Sequence, residues 1–274
     1  MDNFNYKKYI AEGILLREAA DTPKAIILAG APGAGKGYIL SGLDLGGLKV
    51  LNIDSIFINM LKQANVTLDL KNATPEERSQ QAKSMAAANK EFKGDIAATI
   101  EGKESFILDG TAASLRNTAK LKDELEEAGY DVFMLYVYTD LERSLSQNQD
   151  RFKKSGGEDR SLAPAIVLRT WKSVTDNLPK YADLFGFNFV AVANTLEGQK
   201  IQDIEKIIKK YLDPFKPEGT KTKTPSQIEK AKADKAELNA EIQDMLSDEF
   251  LYDVIEYTMS KEEAQMRLKQ FLNG

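Results

Sequence analysis

Residues 24–38 read KAIILAGAPGAGKGY. A short apolar run leads into a glycine-rich bend and then into a helical pattern. Glycine at 30, 33 and 35 lets the backbone curl so that several N–H groups converge on one point. The following helix start adds a partial positive charge, and Lys36 adds a mobile full one. A polyphosphate is the ligand that suits such a focus of amide donors and positive charge. Gly30, Gly33, Ala34, Gly35, Lys36, Gly37 and Tyr38 are therefore candidates for holding a nucleotide. The hydroxyl residue expected directly after the lysine is missing, because Gly37 stands there and Tyr38 follows. Ser41 is about one turn further along and reaches a metal only through water. A Mg²⁺ ion at this loop then keeps more of its waters and leans on carboxylates and phosphate oxygens.

The rest of the chain supplies the sheet that such a loop needs. Apolar runs at 24–29, 49–53, 105–109, 131–137 and 187–193 read as short buried strands, with amphipathic stretches between them. The clearest helix opens with Thr74 as N-cap, Pro75 at the first helical position and Glu77 completing a capping box. It stops at Gly102. A second helix is expected over about 113–129. Strands that alternate with helices predict a mainly parallel α/β sheet covered on both faces.

Among the 274 residues there is no cysteine and no histidine. That excludes disulfides, thiolate nucleophiles and imidazole general bases. Catalysis must run on carboxylates, Lys, Arg, hydroxyls, backbone amides and a hard metal held by oxygen. The net charge of −5 gives no global attraction to nucleic acid or an anionic membrane, so long nucleic acid is not an expected partner. No window is apolar enough to span a membrane. Residues 6–19 read as an amphipathic helix and not as a signal peptide, which makes a cytoplasmic location the expectation.

Two carboxylates fall at strand ends, the edge where open α/β sheets place ligands. Asp54, in LNIDSIF, is placed to accept the proton of an attacking hydroxyl, and it also sits where a helix N-cap belongs. Asp109, ending SFILDGT, is placed to hold Mg²⁺ directly or through water, with Thr111 beside it. Asp54 is the second candidate metal ligand, and both aspartates and Thr111 are candidates for contact with the acceptor. A basic segment follows, with Arg143, Arg151, Lys153, Lys154, Arg160, Arg169 and Lys172 around a flexible SGG. Guanidinium groups on a closing lid, here about 151–162, stabilise a phosphoryl group in transfer. Arg151 and Arg160 are the candidates for that role and Arg169 for substrate contact, while Arg143 reads as structural. After the last strand, Asn194 and Thr195 stand where an adenine ring would lie.

These pieces in this order resemble the P-loop kinases of the zeta-toxin and polynucleotide-kinase branch, related to adenylate kinase. The likeness rests on GAPGAGKG, the aspartate of NIDS, LDGT, the DR…GGEDRSLAPAIVLRTW segment and NFVAVANT, and covers about 24–211. Two departures stand out: Tyr38 replaces the threonine of a GxPGxGKGT loop, and Asp109 stands where this branch tends to carry Glu. The resemblance implies a three-layer sandwich around a five-stranded parallel sheet in order 2-3-1-4-5. It implies ATP and Mg²⁺ as cofactors, Lys36 on the phosphates, Asp54 activating an acceptor hydroxyl, and 151–160 as lid. The acceptor is a small molecule, a nucleotide sugar or a polynucleotide end. The N-terminus also resembles proteins of tailed phages, which would place the chain in the host cytoplasm or a virion.

The kinase-like unit is expected over 1–212, a Pro/Lys/Thr linker over 213–226 and a helical extension over 227–274. From 236 onward nine acids face three bases. Residues 260–272 start with a second capping box, Ser260 to Glu263. Helices this short bury little core alone, so docking on the main unit, a protein partner or a second copy is expected. A nucleotide-binding assembly or structural protein, with the loop kept as scaffold, is the alternative to a kinase.

Overall fold

The computed structural model describes residues 22–42, 48–70, 72–156, 159–160, 162–195, 236, 240 and 257–273. The expected helix at 6–19, the linker at 213–226 and the greater part of 227–274 lie outside these residues. In chain order the elements are β1 (Lys24–Ala29), α1 (Lys36–Ser41), β2 (Lys49–Leu51), α2 (Ile53–Gln63), α3 (Pro75–Glu101), β3 (Phe106–Asp109), α4 (Leu115–Glu127), β4 (Asp131–Tyr138), α5 (Leu141–Lys154), α6 (Pro164–Asp176), α7 (Leu178–Phe185), β5 (Phe189–Ala193), β6 (Thr258–Met259) and α8 (Lys261–Asn273).

Local chemistry explains most of these boundaries. Thr74 Oγ1 accepts from the Glu77 amide and Glu77 Oε2 from the Thr74 amide, so the capping box starts α3 as expected. The Gly102 amide closes α3 on Ala98 O. Asp140 caps α5 and Ser114 caps α4 by the same side-chain-to-amide device.

All strand pairs are parallel, in the order β2-β3-β1-β4-β5-β6. The expected order of five is present, and a sixth strand extends it. Thr258 and Met259 pair with Ala191 and Val192, where the sequence pattern predicts helix. An exposed edge of β5 offers unpaired amides and carbonyls, and satisfying them overrides a weak local preference over two residues. β2 and β5 are each shorter than expected, ending at Leu51 and beginning at Phe189.

The strands bury both faces, which is why they read as continuous apolar runs. On one face Ile27, Phe106, Met134 and Tyr136 pack with Leu125 of α4, Val174 of α6 and Tyr181 of α7. On the other, Ile26, Leu28, Phe133 and Leu135 pack with Ile39 of α1 and with Ala264 and Leu268 of α8. Phe271 stacks at 4.8 Å between ring centroids on Phe133. The C-terminal helix is thus a layer of the sandwich, and its apolar face is covered by the chain's own sheet. Among the described residues no helix is long and apolar enough to cross a membrane.

With β1 between β3 and β4, the chain leaves β1 toward one side and later crosses to the other. The crevice at this switch point lies at the carboxyl ends of the strands, directly over the 30–37 loop. Leu268 is 2% exposed. Leu268→Ala is expected to lower stability by about 2–5 kcal/mol, read as a fall in the urea midpoint of the full chain.

Candidate active site

The loop after β1 is held from behind by three distant elements. Ser144 Oγ, on α5, donates to Pro32 O at 2.6 Å. Asn194 Nδ2, at the end of β5, donates to Ala34 O at 2.8 Å. The Gly30 amide donates to Thr111 O at 3.1 Å, beyond β3. This close approach is what two of the glycines permit. Gly30 has φ 143° and Gly33 has φ 78°; a Cβ would lie 2.5 Å from Val137 O at the first and 2.6 Å from Ser144 O at the second.

In front of the loop is a polar cleft of about 680 Å³. Its walls are Gly33–Gly37, the start of α2 from Asn52 to Ser55, the β3 end from Asp109 to Thr111, and Gln147, Arg151, Asp159 and Arg160. Lys36, Asp54, Asp109, Thr111, Arg151 and Arg160, drawn from five stretches of the sequence, therefore meet in one space. Lys36 folds back so that Nζ donates to Gly30 O at 3.0 Å and to Ala31 O at 3.4 Å. Burial lowers its pKa below the ordinary 10.5. Attraction from Asp109 and Asp54 partly offsets this, and Arg151 and Arg160 add to the lowering.

Asp54 does not cap its helix. Asn52 does, two residues earlier, with Oδ1 accepting from the amides of Asp54 at 2.7 Å and Ser55 at 3.3 Å. The Asn52 amide nitrogen meanwhile donates to Asp109 Oδ2 at 2.5 Å. One side chain so ties the two strand ends together and leaves the Asp54 carboxylate to the cleft. There it forms an ion pair with Arg160. Arg151 pairs with Asp159 at 2.9 Å, and the other oxygen of Asp159 accepts from the Arg160 amide at 2.7 Å. Both arginines are thus balanced by acids on the cleft wall.

Four expected site residues, Arg169, Tyr38, Asn194 and Thr195, do not line the cleft. Arg169 is on an exposed face of α6 and does not line the cleft. Tyr38 is 67% exposed and outside the cleft, with Lys261 Nζ 4.8 Å from its ring centroid. Asn194 is buried, and its amide nitrogen serves the loop, not a base. Thr195 is exposed just past β5. Ser41 turns back to Tyr38 O at 2.9 Å. Asn52, Asp159 and Ser144 escaped the sequence reading. Only Asn52 carried a local signal, as a favoured N-cap residue ahead of the 53–63 helix.

The family model described as Zeta toxin matches residues 11–206. No curated protein matches the chain. Among solved structures, the AvrRxo1-ORF1:AvrRxo1-ORF2 complex with sulphate ions is similar at 15% identity and TM-score 0.50, over 95% of this chain and 88% of that one. The same complex with ATP gives 15% and 0.49, over 92% and 85%. A chain of the PezAT chromosomal toxin–antitoxin system of Streptococcus pneumoniae gives 14% and 0.45, over 88% and 98%. At such identities the structural likeness concerns the fold. The family match spans the loop, both aspartates and both cleft arginines, and on that ground the chain belongs to the Zeta toxin family.

Proposed function

We propose that the chain is a kinase that transfers the γ-phosphoryl group of ATP to a hydroxyl of a small molecule, a nucleotide sugar or a polynucleotide end. The observation that carries this reading is the convergence of Lys36, Asp54, Asp109, Arg151 and Arg160 on one polar cleft in front of the loop. The triphosphate lies along Gly33–Gly37, with the Lys36 ammonium released from the loop carbonyls onto its β- and γ-oxygens. Thr195, exposed beyond β5, is the residue left for the base.

An incoming γ-phosphate competes with Asp54 for Arg160 and with Asp159 for Arg151. Guanidinium groups bind phosphate oxygens well, and the exchange frees the Asp54 carboxylate. Asp54 then accepts the proton of the acceptor hydroxyl as its oxygen attacks the γ-phosphorus. The new O–P bond forms, the bond to the β,γ-bridging oxygen breaks, and ADP leaves. Arg151 and Arg160 stabilise the charge spread over the transferring group.

The donor set fits a divalent ion that keeps much of its water. Asp54 and Asp109 line the cleft, and among the described residues no group of three acids joins them. Asp109, oriented by Asn52, and Asp54 would hold Mg²⁺, which when bound neutralises charge on the phosphates. The position of Tyr38 favours a second reading, a nucleotide-binding assembly protein. Its side chain faces Lys261 and leaves the loop without a hydroxyl at the metal. Tight ATP binding with no transfer to any acceptor would favour that reading.

Lys36→Ala is expected to abolish ATP turnover. Asp54→Asn is expected to keep ATP affinity within a few-fold while turnover falls about 100-fold or more. Labelled γ-phosphate transfer and equilibrium nucleotide binding check the pair, and equal loss of both properties in Asp54→Asn would refute the assigned role. A pH series tests the lysine. Its folded pKa lies below 10.5, so the ammonium is lost earlier than from a free lysine. ATP affinity should therefore fall as pH rises through a window that opens below 10.5, and Lys36→Ala should lack that fall.

A further inference from the structure

Helix α1 carries Lys36 and Gly37 of the phosphate loop, yet little in its own sequence holds it. It is six residues long, its N-cap Gly35 makes no side-chain bond, and Ile39 is its one buried residue. A helix so short is marginal by itself. The far end of the chain supplies three supports. Gln265 Nε2 donates to Gly42 O at 2.8 Å, at the C-cap of α1. Lys261 Nζ stands 4.8 Å from the centroid of the Tyr38 ring, a cation–π contact. Ile39 packs in one cluster with Ala264 and Leu268.

The same segment reaches the loop by a second route. Met259 of β6 pairs with Val192 of β5. Two residues further on, Asn194 donates to Ala34 O at 2.8 Å. Residues 258–273 thus touch α1 directly and the loop through β5, and none of them falls in the 11–206 span of the family match. The seam between α1 and α8 is not fully packed. It leaves a cavity of about 160 Å³, with Leu135 and Val192 of the sheet among its walls. Lys261 and Gln265 therefore bridge a partly open seam.

We propose that Lys261 and Gln265 are positioning residues, which couple the docking of α8 to the conformation of the phosphate loop. Tyr38 then has a role of its own: in place of a hydroxyl for the metal, it offers a ring on which α8 is anchored. The coupling is reciprocal by linkage. Nucleotide that orders the loop strengthens the docking of α8 by the factor with which docked α8 strengthens nucleotide binding. This rests on the nucleotide-binding part of the kinase reading and extends it to residues outside the family match.

The test uses the full chain, with amide hydrogen exchange followed by NMR and binding of a fluorescent ATP analogue. Both side chains are exposed, so replacing them leaves the core intact. Lys261→Met combined with Gln265→Glu is expected to speed exchange at Ile39, Leu40 and Ser41 about fivefold and to weaken the analogue by a similar factor. Exchange within α4 should stay within about twofold of the native chain, which a general loss of stability would not allow. Lys261→Arg, which keeps the cation over the ring, should behave as the native chain does. In the native chain the analogue should slow exchange at Ala264, Gln265 and Leu268, and the double variant should lose that slowing. The proposal is overturned if the double variant leaves α1 exchange unchanged, if α4 exchange rises equally, or if Lys261→Arg loosens α1 as much. It is equally overturned if a native chain that binds the analogue shows no slowing in α8, or if the double variant binds as tightly. A folded native chain that fails to bind the analogue strikes the nucleotide reading, and α1 exchange in the free chain still decides the coupling.

Discussion

Pro32 and Ala34 give their carbonyl oxygens to Ser144 and Asn194, and Gly30 gives its amide to Thr111. These three bonds hold the loop from behind against the ends of β3 and β5 and the first turns of α5. A glycine-rich segment left alone would sample many conformations, since glycine loses more backbone freedom on ordering than any other residue. The bonds keep that freedom from blurring the cleft. They also explain why side chains are absent where the loop meets its neighbours: Val137 O and Ser144 O occupy the space that a Cβ would need.

On the open side of the loop the same economy of partners recurs. Asn52 caps α2 with its oxygen and orients Asp109 with its nitrogen, so one residue positions both aspartates. Asp54 and Asp159 neutralise the two cleft arginines. Each of the two arginines has a counter-charge in contact, which limits the cost of gathering like charges on the wall. On the proposed kinase reading, a polyanion would exchange for those acids and release Asp54 to take a proton.

The C-terminal segment changes what counts as the domain. By composition it begins after a Pro-rich stretch and looks like an appendage. Yet β6 completes the sheet edge, and Ala264, Leu268 and Phe271 cover the face opposite α4 and α7. Gln265 also donates to Gly42 O, at the end of the helix that follows the phosphate loop. The helix is amphipathic because it has a sheet to cover.

Periodicity and end signals made β1, α3 and the glycine-rich loop readable from the chain alone. Each is specified by residues close together: an apolar run for β1, Thr74, Pro75, Glu77 and Gly102 for α3, and glycines with a lysine for the loop. The carboxylate ending β3 was equally readable, and so was a mainly parallel sheet; the order of its first five strands came from the family resemblance, and Asp54 lies in the first turn of α2, past the end of β2. The pairings were not readable. Asp54 meets Arg160 across 106 residues, and Asn194 meets Ala34 across 160. Arg169 carries the same chemistry as Arg160 and sits on an outer face. Local patterns state what a side chain is and which face of its element it occupies. Which partner waits opposite is settled by how helices and strands pack, and so the fold alone turned Asn194 inward, turned Tyr38 outward and added a sixth strand.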